Sequence, residues 1–145
     1  MPKSERTLVL VKPDGVQRGL VGEVVRRFEA RGFRIVGLKL MRAPKATVEE
    51  HYAEHRGKPF FEGVVEYLCS DPVVVLALQG HNAIRACRAM MGATDPADAA
   101  PGTIRGDFAT SIEANIVHGS ADTDAARREL GLWFNASDLV NGGSV

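Results

Sequence analysis

Apolar positions divide the chain into short strands and amphipathic helices that alternate along its length. Thr7-Leu8-Val9-Leu10-Val11-Lys12 is an apolar run stopped by Pro13-Asp14-Gly15, which predicts a buried strand followed by a turn. Val21, Val24, Val25 and Phe28 then recur at helical spacing, with Gly32 placed to cap the helix end. The β-branched and apolar stretch from Phe33 to Met41 predicts a second strand, broken by Pro44. Thr47 and Glu50 have the spacing of a capping box for a short helix, and Phe60, Phe61, Val64, Val65 and Leu68 mark another helical stripe. Val73-Val74-Val75-Leu76-Ala77-Leu78 is the strongest strand signal. Asn82 is placed to cap a helix that runs to about Met91 and stops at Gly92. Pro96, Pro101, Gly102 and Gly106 interrupt any period between Ala93 and Ala114, which predicts a long irregular segment. Ile116-Val117-His118 predicts a brief strand, and Asp122 or Thr123 opens a last helix carrying Ala126, Leu130, Trp133 and Phe134. Asn141-Gly142-Gly143-Ser144 reads as a loose tail.

The predicted order is β-α-β-(α-α)-β-α-β-α, without repeats or an internal linker. It matches an α+β ferredoxin-like sandwich, an antiparallel four-stranded sheet with helices packed on one face. Periodicity alone also allows a small doubly wound sheet. Size fits one domain over residues 1–145, long enough to build a core without staples.

Charge narrows the chemistry. Eighteen Lys and Arg balance eighteen Asp and Glu, so no overall field draws the chain to nucleic acid or an anionic membrane. Any bound anion must be held by a local cluster of cations. No apolar run approaches bilayer length, and the start Met1-Pro2-Lys3-Ser4-Glu5-Arg6 does not look like a secretion signal. Cys69 and Cys87 are too few for a disulfide framework and read as buried thiols. A cytoplasmic protein is expected.

Three features suggest a site. Arg88 falls inside the stripe of Ile84, Cys87 and Met91, where a guanidinium needs an anionic ligand, an ion-pair partner, or a stem that reaches outward. The irregular segment carries Thr94, Thr103 and Arg105 between Gly102 and Gly106, phosphate donors beside residues that allow close backbone approach. Alone, Gly-Thr-Ile-Arg-Gly reads better as an ordinary surface loop. His118 ends a strand just before Gly119-Ser120, and a neutral imidazole is a competent nitrogen nucleophile. Glu129, one position from Leu130, can turn inward to hold that ring.

Longer motifs decide between these readings. Asn115-Ile116-Val117-His118-Gly119-Ser120 resembles the active-site signature of the nucleoside diphosphate kinase family. Lys12-Pro13-Asp14-Gly15-Val16-Gln17-Arg18-Gly19, His51-Tyr52-Ala53-Glu54-His55, Lys58-Pro59-Phe60-Phe61 and Pro101-Gly102-Thr103-Ile104-Arg105-Gly106-Asp107-Phe108 resemble it too, in the same order. The resemblance implies ping-pong transfer of a terminal phosphoryl group from a nucleoside triphosphate to a nucleoside diphosphate through phosphorylated His118. It implies that Glu129 and Ser120 orient the ring. It further implies that Arg88, Thr94, Arg105 and Tyr52 hold phosphates bridged by Mg²⁺. Lys12 and Asn115 would meet the ribose, Lys12 also approaching the transferring phosphate, while Phe60 and Ile112 flank the base. Broad base specificity follows, with no metal ligand from the protein itself. A homo-oligomer is implied, a hexamer ahead of a tetramer. Departures are Ala121 before Asp122, Val64 in place of a frequent Leu, and a tail without the aromatic and acidic extension of longer members.

Two rival readings compete. His51-x-x-Glu54-His55 has the spacing of a zinc-hydrolase helix, without an evident third ligand. Ferredoxin-like sheets also serve as RNA-binding or regulatory modules, but the balanced charge and missing aromatic signature oppose RNA. The absence of Gly-x-x-x-x-Gly-Lys-[Ser/Thr] excludes a P-loop route to phosphoryl transfer.

Overall fold

In a computed structural model, residues 4–140 are described, so the predicted loose tail and the first three residues lie outside the described residues. The strands are β1 (Ser4–Val11), β2 (Arg34–Met41), β3 (Val73–His81) and β4 (Val117–Gly119). The helices are α1 (Pro13–Gln17), α2 (Val21–Arg31), α3 (Lys45–His51), α4 (Phe61–Ser70), α5 (Ala83–Met91), α6 (Ile104–Phe108) and α7 (Thr123–Trp133). All pairings are antiparallel, in the order β2-β3-β1-β4. The α+β ferredoxin-like reading holds.

Helices cover both faces of the sheet rather than the one expected. Leu8, Leu10, Val36, Val73, Val75 and Ala77 pack against Val48 of α3, Phe61, Val65 and Leu68 of α4, and Leu130 and Trp133 of α7. On the opposite face, Val9, Val11, Val74, Leu76 and Leu78 meet Val24 and Phe28 of α2, Cys87 and Met91 of α5, and Ile104 of α6. The physical reason is visible in the strands themselves. Val73 to Leu78 has no polar position, and a strand exposed on one face would alternate. Each large apolar side chain buried this way contributes roughly 1.5–3 kcal/mol.

Local signals succeed and fail for identifiable reasons. Gly32 ends α2 at φ 109°, where its N–H bonds the carbonyls of Phe28 and Glu29. Thr47 and Glu50 form no capping box, because α3 already begins at Lys45, straight after Pro44. Asn82 stands at the N-cap of α5, but its side chain makes no cap bond; Glu5 Oε1 accepts from Ile84 N–H at 3.3 Å instead. The supposed turn at Pro13 is the short α1, and the supposedly irregular segment contains α6, capped by Thr103 Oγ1 accepting from Gly106 N–H. Cys87 is buried as expected, and Cys69 is only half-buried.

Candidate active site

The site forms where the sheet is narrowest. β4 is three residues long and lies at the sheet edge, and His118 stands opposite Leu10 in its register with β1. Opposed residues share a face, so the imidazole projects toward α3 and α7. Glu129 of α7, buried at 4% exposure, places Oε1 3.1 Å from His118 Nε2. Ser120 Oγ donates to the same oxygen at 2.8 Å and accepts from Leu8 N–H at 3.3 Å. Burial alone would raise the Glu129 pKa, but the His118 and Ser120 hydrogen bonds, with the two nearby histidines, lower it. An ionised carboxylate only accepts, so His118 Nε2 carries the proton and Nδ1 of the neutral ring keeps its lone pair. Among the described residues, nothing bonds Nδ1.

Cations reach the ring from the other face, round the short strand. A cavity of about 690 Å³ is lined by Lys12, Tyr52, Arg88, Thr94, Arg105, Asn115, His118 and Glu129, among others. Arg88 is exposed, not on a buried face as its position in the stripe suggested. Its helix overhangs β4, so the guanidinium meets the cavity instead of the core. Arg105 is the buried arginine, at 8% exposure. It donates to the carbonyls of Gly92 at 2.8 Å, Val117 at 2.7 Å and Asn115 at 3.3 Å. Two of its five N–H groups remain for a ligand. Burial and the Arg88 charge bring its pKa down to about 10, still cationic at neutral pH. Lys12 Nζ donates to Asn115 Oδ1 at 2.8 Å, and Asn115 Nδ2 donates to the Thr94 carbonyl at 2.9 Å. Burial, then Arg105, lowers the Lys12 ammonium to about 8 against a weaker pull from Asp14. Burial raises the pKa of the Tyr52 hydroxyl, whose ring centroid lies 6.5 Å from that of His118.

Several supporting residues escaped the sequence. Ile116 has φ 74°, which is rare and strained for a β-branched residue. Asp14 Oδ2 accepts from its N–H at 3.0 Å, and its carbonyl accepts from Lys12 N–H at 2.7 Å. Tyr67 O–H donates to Asp14 Oδ1 at 2.5 Å, completing the clamp. That clamp fixes the backbone between Asn115 and His118. His51, buried at 3%, sets its ring edge-on to His118 at 4.6 Å between centroids. Its helical spacing from Val48 was the available signal, overshadowed by the zinc-like motif.

Other residues singled out in the sequence lie outside the cavity lining. Phe60 and Ile112, 50% and 51% exposed, are not among the residues lining the cavity; Phe60 approaches it only through the His55 ring at 5.2 Å. Gly102 and Gly106 do not face the cavity either. A side chain at Gly106 would strike the Ala100 carbonyl, and Thr103 spends its hydroxyl on Ala100 and Gly106. The glycines that line the cavity are Gly92 and Gly119. The first turn of α7 borders it too, but Asp122 already caps that turn through Ala125 N–H at 2.8 Å. The zinc-hydrolase helix does not exist: α3 stops at His51 and a separate 3-10 turn carries His55. Their rings have different partners, Trp133 for His51 and Lys58 for His55.

The chain as a whole is similar to known proteins. A sequence profile described as nucleoside diphosphate kinase matches residues 5–139. The chain belongs to the nucleoside diphosphate kinase family. A nucleoside diphosphate kinase from Thermus thermophilus is 57% identical over 136 residues, covering 94% of this chain and 99% of that one. Human nucleoside diphosphate kinase A is 50% identical, covering 97% and 93%. The solved structure of a halophilic nucleoside diphosphate kinase from Halobacterium salinarum in complex with CDP superposes with a TM-score of 0.93 at 50% identity, covering 96% and 93%. The activity is that of a nucleoside diphosphate kinase, and no helix among the described residues is long and apolar enough to cross a membrane.

Proposed function

We propose that this nucleoside diphosphate kinase works by ping-pong transfer through phosphorylated His118. The observation that carries it is the hydrogen bond from His118 Nε2 to Glu129, made inside a cavity lined by Lys12, Arg88 and Arg105. The Nδ1 lone pair attacks the terminal phosphorus of a nucleoside triphosphate, and the bond from phosphorus to the bridging oxygen breaks to release the diphosphate. Glu129 stabilises the imidazolium that forms, and Ser120 holds Glu129. A second nucleoside diphosphate then takes the phosphoryl group by the reverse displacement. Lys12, Arg88 and Arg105 offset charge on the equatorial oxygens, the main demand of phosphoryl transfer. Thr94 and Tyr52 complete the phosphate contacts, and Lys12 with Asn115 holds the ribose.

Mg²⁺ fits the donor set. Asp122 and Asp124 line the same cavity as the cations, hard oxygen groups suited to the water shell of an Mg²⁺ carried on the nucleotide phosphates, with no direct ligand from the protein. Bound there, it would neutralise phosphate charge. Phe60 and Ile112, apolar and exposed, would take the base between them. Stacking reads no base edge, which gives broad specificity.

One domain spanning the chain carries this activity as a cytoplasmic homo-oligomer, a hexamer ahead of a tetramer. Support for assembly comes from β2, an edge strand showing Leu38 and Leu40 at 53% and 66% exposure. Sedimentation distinguishes the two sizes. The mechanism is tested with γ-labelled ATP. Acid-labile, base-stable label is expected on the wild-type chain and none on His118→Ala, which also loses turnover. Turnover retained by that variant would refute the nucleophile.

A further inference from the structure

Behind the nucleophile lies a second histidine. Ligand atoms of His51, His118 and Glu129 lie within 4.8 Å of one another, as in a two-histidine, one-carboxylate metal site. One hydrogen bond opposes that use. The Trp133 indole N–H, which can only donate, points at His51 Nδ1 from 3.0 Å. Nδ1 must therefore accept, and in the neutral ring the proton sits on Nε2. A histidine that ligates through Nε2 needs the opposite tautomer, with its other nitrogen donating to an acceptor. His51 Nε2 is buried and has no hydrogen-bond partner among the described residues. It lies 3.9 Å from Glu129 Oε2, while Oε1 already serves His118 and Ser120.

We propose that Trp133 is a positioning residue that locks His51 in its Nε2–H tautomer, so that His51 offers Glu129 Oε2 a neutral donor and denies a divalent metal its third lone pair. The inference rests on phosphoryl transfer through His118. A neutral donor orients Glu129 without cancelling its charge, which stays available to the imidazolium formed when Nδ1 bonds phosphorus. The 3.9 Å gap is the kind that closes as a catalytic complex tightens. A metal seated on the same three groups would instead tie up the nucleophile.

The test begins with ¹⁵N NMR of the histidine rings in the wild-type protein at pH 7. His51 is expected to show a bare Nδ1 and a protonated Nε2; the reverse pattern overturns the lock. His51→Gln keeps a donor near the Nε2 position and His51→Leu removes it. Turnover is expected to stay near wild type in His51→Gln and to fall about tenfold in His51→Leu, the scale of a hydrogen bond to a charged group, with KM unchanged in both. Equal losses in the two variants would overturn the donor role. Zinc titration of the nucleotide-free protein is expected to show binding at least about tenfold tighter in Trp133→Phe, a gain erased by adding His118→Ala. Unchanged zinc affinity in a folded Trp133→Phe would overturn the exclusion of metal. Should that variant not fold, the wild-type spectrum and the His51 pair still decide. The tautomer is read without turnover, so its failure is distinct from failure of the phosphohistidine reading.

Discussion

At the scale of single residues, the site separates groups that hold the protein together from groups free to act on a ligand. Arg105 and Arg88 illustrate the division. Arg105 satisfies three backbone carbonyls, whereas Arg88 is exposed and lines the cavity. Arg105→Ala is expected to lower both turnover and thermal stability, by about 2 kcal/mol or more, because it leaves buried carbonyls unpaired. Arg88→Ala is expected to lower turnover with the melting temperature unchanged. Calorimetry beside steady-state kinetics checks both, and an unaltered melting temperature in Arg105→Ala would contradict the stapling role. Lys12 supplies a pH prediction. Its ammonium is held near 8, so it is charged below that value and neutral above it. The kcat/KM for nucleotides is expected to fall as pH rises through about 8, and this limb should vanish in Lys12→Met, whose residual activity lacks that titration.

At the scale of elements, the stretch from Lys12 to Arg18 and the approach to β4 act as one unit. Ile116 is held in its unfavourable backbone by Asp14, braced by Tyr67, which accepts from its N–H, and by Lys12 N–H, which donates to its carbonyl. Asp14→Ala is expected to destabilise by about 1–3 kcal/mol through the orphaned donor and to reduce turnover, since Asn115 and His118 flank the released residue. Tyr67→Phe should show a milder version of both effects. Chemical denaturation and kinetics on the pair measure this, and stable, fully active Asp14→Ala would remove the clamp from the account. Capping follows the same lesson. Asp122 caps α7 from its own sequence position, but α5 takes its cap bond from Glu5 on β1. Only the first kind of cap is visible in a local pattern.

At the scale of the whole molecule, two cores share one sheet, and the candidate site lies at the short edge strand, where the layers on either face come within reach of each other. That arrangement has a cost in acid. Burial, and then the nearby His118, brings the His51 pKa down to about 3 from an ordinary 6.5. The unfolded chain therefore takes up the proton first. Stability from neutral His51 is complete above about pH 6.5 and declines as pH falls toward 3. Glu129, lowered from the usual carboxylate range, loses its own contribution further into acid, as pH drops through its folded value. Melting temperature against pH should fall steeply between about 6 and 4, and His51→Gln should flatten that limb. An identical limb in the variant would show that His51 is not its source.

Linear pattern was enough for the alternation of elements and favoured the antiparallel four-stranded sheet, which strand pairing then selected over a doubly wound one, and the long motifs named residues that line the cavity with His118. Apolar periods and long ordered motifs are local properties of the chain. Packing had to choose which faces are covered, which arginine is buried, and which nitrogen of His118 is free. It also brought Trp133 to His51 and Asp14 to Ile116. The separations run from 10 residues, for Arg105 and the Asn115 carbonyl, to 102, for Asp14 and Ile116, and burial and hydrogen-bond direction exist only once the chain has packed.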